Sequence, residues 1–203
     1  MPIKDRKKVA VVVIVIIILI SALIYFHLSR PLFTCSHSFE ENWDGWKPQA
    51  IDVDDPEVNW TIERTSELTY SGNYSMKFHL ENWHDQGKIW IQRTIDLEPE
   101  KNYNVRMKLS FASSDFGSFN LWKILVGGGP HEPEDIEDLT YPENTGIGAD
   151  EDNGYQWMEK EYKFDAKTNS EGEMYIYVGV WGTWETERTY YVDDIEVVVT
   201  RIL

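Results

Sequence analysis

The stretch Tyr103-Asn104-Val105-Arg106-Met107-Lys108-Leu109-Ser110-Phe111 alternates apolar and polar side chains at every position. A period of two predicts a β-strand with one face in the core and one in solvent. Similar alternation recurs at residues 74–80, 89–97 and 174–180, and turn-forming sequences separate these runs. Long helical periodicity is missing after residue 38. The sequence therefore predicts an all-β domain built as a β-sandwich.

The composition fits one such domain and excludes one class of partner. The chain has 203 residues, 42% of them hydrophobic, which is enough for one well-packed core. Its formal net charge is −16, and because the first eight residues are net basic, the remainder is more acidic still. Such a surface repels phosphate groups, so we expect no nucleic-acid partner. Since Cys35 is the single cysteine, no intrachain disulfide can form.

The N-terminal region predicts a membrane anchor. From Val9 to Phe26, eighteen residues contain Ser21 as the only polar side chain, and as a helix they would extend over about 27 Å. Lysine and arginine precede this run, which places the N-terminus in the cytoplasm by the positive-inside rule. We therefore predict a cytoplasmic basic tail at 1–8, a transmembrane helix at 9–28, a juxtamembrane linker at 29–38 and an extracellular β-sandwich at 39–203. The protein would be a single-pass protein of the cell membrane.

Three other interpretations of the N-terminal region stay open. A cleaved signal peptide would normally have a shorter apolar region, of about 7 to 15 residues, followed by a small-x-small site. Lipidation of Cys35 would need a small residue where bulky Phe33 stands. A basic patch, an aliphatic helix and a β domain in succession also resemble type IV pilin-like subunits, but no glutamate lies early in the apolar run. The retained helix accounts best for the length of that run.

Residues 127–154 interrupt the strand pattern. This segment contains three consecutive glycines, three prolines and nine acidic residues, and it predicts a long acidic surface loop, either functional or disordered. Glu134 and Glu137 are closely spaced acids of the kind that glycosidases use, but no alternating strand fixes their separation. Nucleophile-elbow, zinc-helix and phosphate-loop motifs are also missing from the sequence. We therefore predict that the protein is not an enzyme.

Four sequence features together resemble a known family of domains. They are Phe39-Glu40-Glu41-Asn42-Trp43-Asp44-Gly45-Trp46, Tyr70-Ser71-Gly72-Asn73-Tyr74-Ser75-Met76, Leu97-Glu98-Pro99 before Tyr103, and Tyr190-Tyr191-Val192-Asp193-Asp194-Ile195. Their order and spacing resemble the galactose-binding-like jelly roll of carbohydrate-binding modules of the family 4/9/22 type, over roughly residues 39–199. The resemblance implies a jelly-roll β-sandwich. It implies function less directly, because this fold also serves as a spacer, adhesion or accessory domain.

Asp193 is the most unusual residue of the last predicted strand. It has the parity of Tyr191, Ile195 and Val197, which places a carboxylate on the apolar face. A buried carboxylate needs a cation, a set of hydrogen bonds or a shifted pKa. Without a metal, Asp193 would pair with Arg93 or accept hydrogen bonds from backbone amides.

The resemblance implies a structural Ca²⁺ at this carboxylate. In the family, the ligands are the aspartate of the terminal strand, an acidic residue near the first strand and main-chain oxygens around the Ser-Gly turn. The matching residues of this chain are Asp193, Glu40 or Glu41, and Ser71 and Gly72. Oxygen ligands with several carboxylates suit Ca²⁺ chemically.

Aromatic side chains are predicted on the strand faces that point away from the core. Sugar binding needs flat rings for stacking together with polar groups that bond hydroxyls. The predicted carbohydrate-binding residues are Trp90, Gln92, Trp122, Tyr175, Tyr177 and Trp181, of which Trp122 lies in a strand without clear parity. Alternatively, these residues extend the core or lie under the acidic loop. Trp83, His84 and Trp184, which are next to turns, could form a rim.

Two functions follow from these features. The leading hypothesis is a membrane-anchored extracellular domain, similar to a carbohydrate-binding module, that binds a polysaccharide or a glycoprotein glycan without catalysis. The alternative is a calcium-stabilised structural or protein-interaction module of a surface assembly, pilin-like or associated with a surface layer, and possible as a homo-oligomer.

Overall fold

A computed structural model describes residues 3–28, 30–117, 119 and 121–202, with only the backbone described at 3–9, 27 and 28. The elements in chain order are α1 (Ile3–Leu28), β1 (Phe33–His37), β2 (Lys47–Ile51), β3 (Asn59–Thr65), β4 (Ser75–Asn82), β5 (Lys88–Asp96), β6 (Asn102–Ser113), β7 (Lys123–Gly129), β8 (Glu143–Asn144), β9 (Gln156–Lys167), β10 (Glu173–Trp181) and β11 (Thr186–Arg201). Short 3₁₀ helices cover Ile136–Asp138 and Glu151–Asn153. The prediction of an all-β domain is confirmed.

The strands form two antiparallel sheets. The six-stranded sheet has the order β3-β4-β11-β6-β9, and β1 pairs with β11 off this path. The five-stranded sheet has the order β2-β5-β10-β7-β8. The three longest strands, β11, β6 and β9, lie side by side in the first sheet, so its most extensively paired part runs from β11 at the centre to β9 at one edge.

The core lies between the two sheets, where their apolar faces meet. All five apolar residues of the alternating run from Tyr103 to Phe111 belong to it, as the period of two predicts. Ile89 and Ile91 of β5 and Ile176 of β10 face them from the five-stranded sheet. Removal of this apolar surface from water is the main stabilising contribution in a domain without disulfides.

A β-bulge in β11 changes the parity on which the position of Asp193 was predicted. The pairing of β11 with β6 shifts register between Asp193 and Glu196, and Asp194 has a left-handed backbone with φ of 48°. Val192 before the bulge and Ile195 after it both lie in the core, so strict alternation is interrupted between them. The prediction that Asp193 shares the apolar face of Ile195 is therefore wrong, although its side chain is fully buried.

Two predicted boundaries also differ from the structure. β1 lies within the predicted linker at 29–38 and pairs along its whole length with β11, so the sandwich begins before residue 39. The predicted loop at 127–154 starts inside β7, whose three glycines pair with β10, and it contains β8 and both 3₁₀ helices. Consecutive glycines favour a loop, but a central strand can hold them where other groups approach closely.

The helix α1 is apolar on all described sides. Its large hydrophobic side chains between residues 11 and 26 are 48% to 67% exposed. Within the described residues, no helix combines the length and the apolar character that crossing a membrane requires. The side chains of the predicted tail at 1–8, and of both ends of the predicted span at 9–28, lie outside the described residues, as does residue 29 of the predicted linker.

Candidate functional site

The outer face of the five-stranded sheet carries most of the predicted sugar-binding residues. Trp90 and Tyr177 point away from the core, as predicted, but they form a second small hydrophobic cluster with Leu125 and Leu139. We name this cluster the covered face. Trp90 is 1% exposed and Tyr177 is 2% exposed, and Gln92 is buried beside them, where its Oε1 lies 3.4 Å from Nε1 of Trp90. In this arrangement none of the three can contact a ligand.

Residues 138–140, which belong to the acidic segment between β7 and β8, lie over this face, and we name them the cover. The Tyr177 hydroxyl donates to the carbonyl oxygen of Asp138 at 3.1 Å and accepts from the backbone N–H of Thr140 at 2.9 Å. A Cβ atom at Gly127 would collide with the Tyr177 hydroxyl, so the glycine in β7 makes this close approach possible. Burial raises the pKa of Tyr177, which keeps the hydroxyl protonated as a donor to the loop.

The two remaining aromatic residues of β10 lie at opposite edges of the covered face. Trp181 is half-buried, with Tyr141 4.6 Å from it between ring centroids and the Lys88 ammonium 5.0 Å from its ring. Tyr175 donates its hydroxyl to Glu173 at 3.0 Å, and this hydrogen bond raises the pKa of Tyr175. Tyr175 and Trp181 are six positions apart along the strand, or about 20 Å. They therefore do not form one continuous platform.

A concave surface lies at one end of the sandwich, between the β6–β7 and β10–β11 connections. We name it the loop-end cleft, and its volume is about 510 Å³. Its lining residues are Ser114, Asp115, Phe116, Phe119, Leu121, Trp122, Trp184 and Arg188. Large hydrophobic side chains are exposed here, with Trp184 at 58% and Phe116 at 48%. Such an exposed apolar group beside polar residues is typical of a binding surface.

Trp122 is the predicted sugar-binding residue that reaches this cleft. Its side chain belongs to the main core and is fully buried, with its ring 5.7 Å from that of Tyr190. Its Nε1 donates to the carbonyl oxygen of Trp184 at 3.1 Å. Trp122 therefore supports the wall of the cleft and holds the β10–β11 connection in place, rather than stacking on a ligand itself.

The polar side of the cleft is an ion pair anchored in the core. Oδ2 of Asp115 accepts the Tyr190 hydroxyl at 2.6 Å and the Thr145 hydroxyl at 2.8 Å. Nε of Arg188 lies 3.0 Å from Oδ1 of Asp115 but out of line for a hydrogen bond. Burial raises the pKa of Tyr190 well above its usual value, and the negative charge of the Asp115 carboxylate raises it further. Asp115 is thus fixed, and the Arg188 side chain lies at the rim with 36% of its surface exposed.

These residues give the cleft two kinds of recognition chemistry. The rings of Trp184 and Phe116 can stack on C–H faces, and the Arg188 guanidinium can donate to hydroxyl or carboxylate oxygens. The strand patterns did not identify Asp115, Phe116, Leu121 or Arg188, since three of them lie outside regular strands and the fourth lies at the start of one. Two tryptophans that the sequence singles out, Trp122 and Trp184, do belong to this end of the sandwich.

The predicted calcium ligand Asp193 is surrounded by backbone donors. Its Oδ2 accepts the N–H groups of Tyr70 at 3.0 Å and Ser71 at 3.2 Å, and its Oδ1 accepts the N–H of Asp194 at 2.8 Å. Burial raises the pKa of Asp193 to about 6, although the three hydrogen bonds oppose that rise. Of the two metal-free alternatives predicted for Asp193, the structure therefore has the one with backbone amides. The other predicted partner, Arg93, donates to His37 and to the Asp44 carbonyl oxygen.

The other predicted ligands are arranged in the same way. Oε1 of Glu40 accepts the N–H groups of Asn73 at 2.9 Å and Tyr74 at 3.0 Å, and these bonds lower the pKa of Glu40. Glu41 is exposed. The turn beside Ser71 and Gly72 therefore presents N–H groups, not carbonyl oxygens, to both carboxylates. Ca²⁺ needs oxygen ligands, and the groups that contact these two carboxylates are N–H donors, so the arrangement around them does not fit the ion.

No family model and no curated protein sequence matches this chain. Among solved structures, the K1 cleaved adhesin domain of Lys-gingipain from Porphyromonas gingivalis W83 is similar with a TM-score of 0.50 and 14% identity, over 81% of this chain and 97% of that one. The two-sheet domain of the present chain is therefore a jelly-roll β-sandwich. The CBM22-1 xylan-binding domain of Paenibacillus barcinonensis Xyn10C is similar with a TM-score of 0.43 and 14% identity, over 86% and 97% of the two chains. A CBM61 module in complex with β-1,4-galactotriose has a TM-score of 0.36 and 14% identity, over 85% and 92%.

Proposed function

We propose that this domain binds glycans without catalysis and that the loop-end cleft is its binding site. The observation that carries the proposal is the exposed ring of Trp184 beside the partly exposed Arg188 side chain, which pairs with Asp115, in a cleft of about 510 Å³. Ligand sites of this volume combine apolar walls with a few fixed polar groups. The cleft has both, and it opens at the end of the sandwich, where a sugar chain can enter.

The arrangement favours a sugar over a purely apolar ligand. A pyranose ring has an apolar C–H face, which matches Trp184, and a rim of hydroxyl groups, which match the N–H donors of Arg188. Asp115 already accepts two hydroxyl groups from the protein and faces Arg188, so the pair adds no net charge to the cleft. We therefore expect hydrogen bonding through Arg188 and stacking on Trp184 to act together.

A glycan panel tests the proposal. The full chain in detergent is compared with Trp184→Ala and with Trp181→Ala, a half-buried tryptophan outside the cleft. Xylan and β-1,4-galactan belong in the panel, because the similar domains are named for xylan or were solved with a galactotriose. We expect retention by at least one glycan, about tenfold or more weaker in Trp184→Ala and unchanged in Trp181→Ala.

Two outcomes would overturn this assignment. If Trp181→Ala loses binding and Trp184→Ala keeps it, the site lies at the edge of the covered face instead. If no glycan is retained, the exposed apolar residues of the cleft are better explained as a docking surface for a protein. Crosslinking of the full chain into discrete oligomers would then favour the structural or interaction module.

We further propose that α1 holds the domain at a membrane, with the basic N-terminus in the cytoplasm and the sandwich outside. The support comes from the apolar sequence at 9–26, the basic residues before it, and the exposure of its large side chains on all described sides. Alkaline carbonate extraction of cell membranes should leave the chain in the pellet, and external protease should degrade the sandwich in intact cells. Release into the supernatant would contradict the anchor.

A further inference from the structure

An irregular segment after β1 is held in place by two arginines. Residues 38–46 contain three left-handed backbone positions, Phe39 with φ of 59°, Asp44 with φ of 51° and Gly45 with φ of 82°. A segment of this kind cannot satisfy its own carbonyl groups through regular strand pairing. The guanidinium of Arg93 donates to the carbonyl oxygen of Asp44 from one side.

Arg64, in β3, binds the same segment from the other side. Its Nε donates to the carbonyl oxygen of Phe39 and its Nη2 to the carbonyl oxygen of Glu40. The guanidinium carbon also lies 3.3 Å from the centroid of the Tyr74 ring. One positive charge thus contacts two carbonyl groups and an aromatic face. The planar guanidinium suits this arrangement because its fixed fork of donors reaches both carbonyl groups while its flat face lies on the ring.

The Glu40 side chain connects this segment to the turn before β4. Its carboxylate accepts the N–H groups of Asn73 and Tyr74, and the Arg64 charge adds to the lowering of its pKa. A Cβ atom at Gly72 would collide with the Glu40 carboxylate, so the two groups are in direct contact. Arg64, Glu40 and the turn at 70–74 therefore form one hydrogen-bonded corner of the sandwich.

We propose that Arg64 is the permanent cation of this corner and takes the place that a bound Ca²⁺ would have. A Ca²⁺ ion needs six to eight oxygen ligands. At this corner the carbonyl oxygens of Phe39 and Glu40 are used by Arg64, and the Glu40 and Asp193 carboxylates are used by backbone N–H groups. The sandwich is consequently stable without a metal, and the charge that joins residues 39–40 to the turn is supplied by the chain itself.

The first experiment measures the midpoint of thermal unfolding of the full chain in detergent, in EDTA and in millimolar CaCl₂. MgCl₂ and NaCl at matched ionic strength serve as controls. We expect the same midpoint in all four conditions. A rise of several degrees in CaCl₂ alone would overturn the proposal, because it would show that the unmodified chain binds and needs the ion.

The second experiment uses Arg64→Ala, which frees the two carbonyl oxygens and leaves Glu40 without its cation. We expect the midpoint to fall by roughly 5 to 10 °C, and CaCl₂, but not MgCl₂, to restore part of the loss. Arg106→Ala is the matched control, because Arg106 pairs with Glu196 and Glu161 on the sheet surface. It should lose little stability and show no response to CaCl₂.

Arg64→Lys separates charge from geometry and covers the case in which Arg64→Ala does not fold. Lysine keeps the charge but cannot donate to both carbonyl groups in the same fork, so its midpoint should lie between those of the wild type and Arg64→Ala. An Arg64→Ala midpoint equal to that of the wild type would overturn the proposal. So would a lowered midpoint in Arg64→Ala that CaCl₂ leaves unchanged, since Arg64 would then act by packing on Tyr74 alone.

Discussion

The covered face and the loop-end cleft are both rich in aromatic side chains, but they differ in what lies above the rings. Trp90 and Tyr177 are almost completely buried, because residues 138–140 return across the sheet and bond to the Tyr177 hydroxyl. Trp184 is 58% exposed at the mouth of a cleft. The difference teaches that off-core aromatic residues on a sheet can belong to a second hydrophobic cluster as readily as to a binding face.

Replacing one tryptophan in each region has the largest expected effect on this comparison. Trp90→Ala should lower the free energy of unfolding by about 3 to 5 kcal/mol, because it leaves a cavity between Tyr177 and Gly179. Trp184→Ala should lower it by less than about 1 kcal/mol, because most of its ring is in water. Chemical denaturation followed by far-ultraviolet circular dichroism measures both. Equal losses would mean that the two regions do not differ in burial.

A pair of leucines tests the same difference with identical chemistry. Leu125→Ala, in the covered face, should lower the free energy of unfolding by about 2 to 4 kcal/mol and leave glycan affinity unchanged. Leu121→Ala, in the loop-end cleft, should leave stability nearly unchanged and weaken glycan affinity by about three- to tenfold. Isothermal titration with a glycan retained in the panel gives the affinities. Reversed effects would exchange the roles of the two regions.

The sequence predicts which segments form strands and which side chains of a strand point to the core, because both depend on local alternation. The run from Tyr103 to Phe111 lies in the core as predicted, and Trp90 points away from the core because it alternates with Ile89 and Ile91. Exposure was not predictable, because it depends on a segment more than 30 residues away from Tyr177. No local pattern in an acidic, proline-containing segment indicates that Thr140 will bond to that hydroxyl.

Parity also fails where the backbone departs from regular geometry. The bulge between Asp193 and Glu196 moves Asp193 away from the face that strict alternation assigns to it. Trp122 lies one residue before β7, outside the paired strand, so alternation could not place it. The loop-end cleft is built from connections of this kind. Its residues are brought together by the two sheets, and their spacing in the sequence carries little information about it.

The smallest expected effect concerns the hydroxyl that holds the cover in place. Tyr177→Phe removes the donor to Asp138 and the acceptor for Thr140, which should weaken the attachment of the cover by about 1 kcal/mol. Hydrogen exchange of the Thr140 amide should then be several-fold faster, with exchange at the loop-end cleft unchanged. Tyr175→Phe, on the same strand, is the control, because its hydroxyl bonds to Glu173 and not to the cover.

Unchanged protection at Thr140 would show that packing of Leu139 on Trp90, and not the Tyr177 hydroxyl, holds the cover. A glycan that binds Tyr177→Phe but not the wild type would contradict the assignment of binding to the loop-end cleft alone. The covered face would then be the predicted sugar-binding face in a closed state, because opening the cover exposes the Trp90 ring. An identical glycan profile for the two proteins would instead leave recognition to the loop-end cleft and give the covered face a purely stabilising role.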